Sequence, residues 1–203
     1  MKTNLIMIVL ATGLLAAGVA SASDYTVDPS HSNVNFTTRH LISKVEGRFK
    51  DFDGTFTFDE KHPESLVAEL TVKTASVSTD NEKRDGHLKS GDFFDVEKFP
   101  TMTFKSTKAT PAGKGHMKLA GDLTIHGVTK PVVFAVEYLG EAKDPWGGTR
   151  AAFTASTKIN RKDFGISWNK TLDNGGVLVK DEVAVDLNIE GTANKPAKMH
   201  ENK

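Results

Sequence analysis

Apolar and polar residues alternate with a period of two along most of the chain. Val34, Phe36 and Thr38 share a face against Asn35, Thr37 and Arg39, and Leu66, Ala68, Leu70 and Val72 oppose Val67, Glu69, Thr71 and Lys73. The pattern returns in Met102 and Phe104, in Met117 to Ile125, in Val132 to Tyr138, in Ala151 to Ile159 and in Val183 to Ile189. With Arg48 to Phe58 as a further strand, about eight strands are predicted. Asp53-Gly54, Lys114-Gly115 and Asp144-Pro145 read as turns between them. A helical period fits only Asp80 to Ser90, with Asp80 as its cap and Gly86 weakening it by about 1 kcal/mol relative to alanine. The expected fold is therefore mainly β: an antiparallel barrel of about eight strands with one short helix.

The N-terminus breaks the pattern. Lys2, the apolar run from Leu5 to Ala20 and the Ala20-Ser21-Ala22 site predict a secretory signal over residues 1–22, cleaved after Ala22. The run is shorter than the ~20 residues of a spanning helix and carries Thr12, Gly13 and Gly18. Removing it leaves about 180 residues, the size of one domain. That domain is expected over residues 23–192, followed by a loose tail over 193–203. No later segment is apolar enough to span a bilayer.

Composition narrows the function. Lysine and arginine number 26 against 26 aspartates and glutamates, so no strong field for nucleic acid is expected. There is no cysteine, so no disulfide and no lipoprotein-type acylation site is available to an exported chain. Twelve phenylalanines against two tyrosines and two tryptophans favour a wide apolar interior over a hydrogen-bonded site. The seven histidines show no metal-ligand spacing, and no nucleophile elbow, Walker loop or dinucleotide fingerprint occurs, so no metal or cofactor is expected. Asp85 and His87, two apart on a helix, point to different faces. Arg84 or Asp85 is instead expected to pin the helix to the barrel over Leu88. An eight-stranded barrel either fills with side chains or holds one slender ligand, and the pattern alone does not choose.

Five motifs in fixed order decide the family. HSNVNFTTRHLISKVEGRFKDFDGTFTFD from His31, RDGHLKSGDFFDVEKFPTMTFKS from Arg84, DLTIHGVTKPVVF from Asp122, DPWGG from Asp144 and INRKDFGISWN from Ile159 together resemble the YceI-like family over about Asp24 to Gly191. The resemblance implies a lipocalin-like barrel, export to the periplasm, and binding of a polyisoprenoid or similar long-chain lipid rather than catalysis. On that reading Phe36, Phe52, Phe56, Phe58, Phe104, Phe134 and Phe153 line an apolar cavity. Arg39, His40 and Arg84 sit at its rim near a lipid headgroup, where arginine suits phosphate. The family's proposed links to lipid handling, transport and stress response come with the resemblance, and a homodimer is left open. An enzyme of isoprenoid or lipid metabolism, or a stress-induced structural protein, are the alternatives.

Overall fold

The computed structural model describes residues 22–171 and 177–194. The expected leader and most of the expected tail lie outside the described residues. Among the described residues eleven strands form: β1 (Ser23–Val27), β2 (Asn33–His40), β3 (Ser43–Phe49), β4 (Phe52–Asp59), β5 (His62–Lys73), β6 (Val77–Ser78), β7 (Thr101–Gly113), β8 (His116–Ile125), β9 (Val128–Lys143), β10 (Thr149–Asn160) and β11 (Val179–Ala193), with one α-helix, α1 (Glu82–Lys89). Eight of them close a ring in the order β1, β4, β5, β7, β8, β9, β10, β11 and back to β1, antiparallel throughout. Closure removes the unpaired edges of an open sheet.

The ring is shared unequally at β11. Its C-terminal end pairs with β1 (Val27 with Gly191), while its N-terminal part pairs with β2 (Val179 with His40). Beyond β2 the sheet continues through β3, whose outer edge meets only the two residues of β6. The chain kinks at residues 28–32 to pass from β1 to β2. On the outer face there, Arg150 Nη1 donates to Asp28 Oδ2 at 2.8 Å and to Glu190 Oε1, and its Nε lies 3.2 Å from Asp144 Oδ2. Hydrogen bonds from Ser30, Arg150 and His31 hold the Asp28 carboxyl below the usual carboxylate range. Asp28, His31 and Glu190 bring three ligand-type atoms together. The Arg150 guanidinium already supplies the positive charge between the two carboxylates.

Several boundaries differ from the sequence pattern. Arg48 to Phe58 is two strands, divided at Lys50-Asp51, and β1 and β6 are too short to show alternation. Asp53-Gly54 is not a turn but lies within β4, paired with Thr71 and Leu70. Glycine is required there because a Cβ would come within 2.5 Å of the Glu69 carbonyl oxygen. Lys114-Gly115 and Asp144-Pro145 do turn the chain, with Gly115 at φ 74°. The helix cap is Asn81, whose side chain accepts from the Arg84 amide at 3.0 Å, whereas Asp80 sits before it at φ 57°. Ala193 ends β11, and the Asn194 amide donates to the Asp24 carbonyl at 2.7 Å, so the ordered barrel runs past the expected tail boundary. No helix among the described residues is long and apolar enough to cross a membrane.

Candidate functional site

The inward faces of the strands do not fill the barrel. They enclose a cavity of about 640 Å³, within the ~300 to 1,000 Å³ range of small-molecule sites. Each strand contributes every second residue: Val183, Val185, Leu187 and Ile189 from β11, Phe134 and Val136 from β9, Phe153 and Ala155 from β10. Phe104 and Phe134 meet edge to face across β7 and β9, with ring centroids 5.1 Å apart. A Cβ on Gly47 would collide with the ring of Phe36, its cross-strand partner. The missing side chain therefore makes room for that ring at the wall.

An aromatic plug closes the far end. Phe58 packs on Tyr138 (4.8 Å) and Phe153 (5.0 Å), Phe153 on Phe56 (5.3 Å), and Phe56 stacks on Tyr25 (4.7 Å). The Tyr25 hydroxyl, 1% exposed as a residue, donates to Glu141 Oε2 at 2.6 Å. Burial first, then Glu141, pushes the Tyr25 phenol well above its ordinary range. Burial, Glu60 and Glu141 push Tyr138 up to about 12. Both phenols stay neutral, so they bring no charge to the floor.

The opposite end is covered by α1 and the chain after it. Arg84 Nε donates to Thr79 Oγ1 at 2.7 Å and Nη2 to the Thr79 carbonyl at 2.8 Å, while Asp85 Oδ1 accepts from the Thr79 amide at 2.8 Å. Arginine and aspartate both tie the helix to Thr79, just after β6, and Leu88, Phe93 and Phe94 pack against the core beneath it. His87 stands edge-on to Phe93 (4.9 Å) and Trp168 (4.7 Å), and its Nε2 donates to Asp92 Oδ2 at 2.8 Å. Trp168 is placed by Arg161, which is 5% exposed and donates to the carbonyls of Ile166 and Trp168 and to Asp181 Oδ1 at 3.0 Å. Polar cavity residues collect here: Thr38, His40, Lys83, Arg84 and His87.

Of the residues singled out from the sequence, Phe36, Phe56, Phe104, Phe134, Phe153, His40 and Arg84 line this cavity. Three do not. Phe52 is buried opposite Val72 outside the cavity, and Phe58 belongs to the plug. Arg39 is exposed, because the alternation that turns Thr38 and His40 inward turns it outward. The roof residues Phe93, Phe94 and Trp168 lie in turns and loops without periodicity, and His87 lies on the short α1, so alternation marked none of them as lining. His126, in the β8–β9 turn, has its ring 4.3 Å from that of Phe99 and a buried Nε2 without a hydrogen-bond partner among the described residues.

The comparisons with known proteins agree with this architecture. Residues 25–191 match the model of the YceI-like domain. A UPF0312 protein of Azotobacter vinelandii is 46% identical over 169 residues, covering 82% of this chain and 88% of the relative. The crystal structure of Burkholderia cenocepacia BcnA superposes with a TM-score of 0.72 at 25% identity, over 81% of this chain and 98% of that one. A domain from Saccharophagus degradans described as polyisoprenoid binding shares the fold at a TM-score of 0.61 and 16% identity, over 84% of this chain and 98% of its own.

Proposed function

This chain belongs to the YceI-like family, and on that premise we propose that it is an exported, periplasmic binding or carrier protein for one polyisoprenoid or similar long-chain lipid. The observation that carries the reading is the lining of the cavity: it is predominantly apolar, an aromatic cluster packs at its floor, and His40, Lys83, Arg84 and His87 gather at the α1 end. Such a site accepts an apolar chain tail first and leaves its polar end beside His40 and Arg84. Burying ten carbons contributes about 8 kcal/mol gross. Ordering and association offset much of this. Two donors of the Arg84 fork are engaged by Thr79, and the rest are available to an anionic or hydroxyl headgroup. The similarity to a domain described as polyisoprenoid binding supports the ligand class.

Binding is favoured over catalysis because the candidate acid and base groups are already engaged or isolated. His87 spends Nε2 on Asp92, and His40 has no carboxylate partner among the described residues. Native mass spectrometry of protein purified without detergent, followed by lipid extraction, tests the reading. A stoichiometric long-chain lipid, released unchanged, is expected. Protein that is empty and fails to take up added polyprenol overturns it.

A further inference from the structure

The hairpin between β2 and β3 ends in a two-residue turn, Leu41-Ile42, closed by the pair His40 and Ser43. Tight hairpin turns select glycine, asparagine and aspartate, because one or both residues adopt positive φ. Here Leu41 takes φ 53°, a conformation disfavoured for a bulky side chain, and Ile42 is 94% exposed. Immediately behind the tip, Arg39 and Lys44 face each other across the hairpin, both exposed and neither with a carboxylate partner among the described residues. Like charges directly opposite one another destabilise a strand pair. Folding thus accounts for neither the apolar turn nor the cationic pair behind it. The same tip borders the cavity: His40 lines it, and the Leu41 amide donates to the carbonyl of Leu178, another lining residue, at 2.9 Å.

We propose that this hairpin tip is a membrane-docking wedge, which inserts Leu41 and Ile42 into the surface of an anionic bilayer and holds the barrel mouth against the lipid it exchanges. An apolar point that enters the acyl boundary, backed by two cations at phosphate depth, has the chemistry of an interfacial anchor. Docking in this orientation lets a long chain pass from bilayer to cavity without crossing water. The inference rests on the lipid-binding reading of the cavity and assigns Arg39 to the phosphates of the membrane surface rather than to the bound ligand. The opposite end offers a matched control. Trp146, 86% exposed, lies in the β9–β10 turn, which the β10–β11 register places at the far end of β11 from His40.

The test uses the mature chain with vesicles of phosphatidylcholine, with and without phosphatidylglycerol, and a dansyl-labelled polyprenol presented either in the vesicles or in detergent micelles. Leu41→Asn with Ile42→Gly installs a favoured turn, so folding is retained. Vesicle binding is expected to weaken by about tenfold or more for each side chain withdrawn. Loading from vesicles should slow in step, while loading from micelles is unchanged. Arg39→Gln with Lys44→Gln should weaken binding only where phosphatidylglycerol is present, and Trp146→Ser should match wild type. Wild-type vesicle binding and loading by the tip variant overturns the inference, as does an equal loss in Trp146→Ser. A wild-type protein that takes the probe from neither source overturns the cavity reading first, which separates the two failures.

Discussion

Replacing Gly47 with alanine is expected to shrink the cavity by moving a ring that it does not itself touch the ligand to displace. A Cβ at this position overlaps the outer edge of the Phe36 ring and also approaches Thr79 Cγ2 at 2.9 Å. Phe36 is only partly buried and faces open space on its inner side, so the ring yields inward. The shifted rotamer costs about 0.5 to 1.5 kcal/mol, and Tm should fall by about 2 to 6 °C for a domain of this size. A ring displaced by about one contact removes room for about two methylenes, or ~1.6 kcal/mol of ligand binding, which is about fifteenfold in Kd. Fluorescence titration with a polyprenol analogue and a thermal melt measure both quantities. The double variant Gly47→Ala with Phe36→Leu should recover affinity to within about threefold, because the smaller side chain leaves the space open. A folded single variant with wild-type affinity would show that the Phe36 ring is no part of the binding wall. A double variant as weak as the single one would trace the damage to Thr79 and the seat of α1.

Arg84→Gln should weaken binding of a polyprenyl phosphate by up to about fivefold and of the neutral alcohol much less, since the exposed guanidinium contributes less than ~1 kcal/mol to an ion pair; equal losses measured for both ligands would make it a fold residue only. The two tyrosines of the chain are both displaced upward, so spectrophotometric titration should show little tyrosinate near pH 10 in the folded protein and both phenols ionising on unfolding. The sign follows from the raised values: the stabilisation is complete below the ordinary phenol pKa of ~10 and is lost as pH climbs through the folded value, about 12 for Tyr138. Normal tyrosinate absorbance at pH 10 in folded protein would show that the plug is wet. Protein recovered from the periplasm of its host should begin at Ser23 by N-terminal sequencing, whereas retention of Met1 would reject the leader.

Period-two alternation made the ring strands other than β1 legible, because each must turn one face to an apolar interior, and it exposed five of the cavity phenylalanines for the same reason. It misled where a residue type has two physical uses. Asp53-Gly54 has the composition of a turn, yet Gly54 serves a close approach between β4 and β5. Arg39 was placed at the rim by its position near a strand end, although its parity with Thr37 already set it on the outer face. The roof was illegible because Phe94 rests on Phe49 while Phe93 and His87 rest on Trp168, contacts between segments far apart in sequence. Phe52 and Phe58 show the remaining limit, since an inward strand position does not distinguish a cavity wall from solid core.

The unequal sharing of β11 gives the barrel a seam. Within the ring each strand pairs with two neighbours, but β3, on the flap beyond it, is paired on its outer side only at Arg48 with Ser78 and Phe49 with Val77 among the described residues. Breathing on slow timescales follows such weak stitching, so amide deuteration should run fastest in the outward-facing N–H groups of β3 while β8 to β10 stay protected. The protein then behaves less as a rigid cup than as a purse whose clasp is two residues wide.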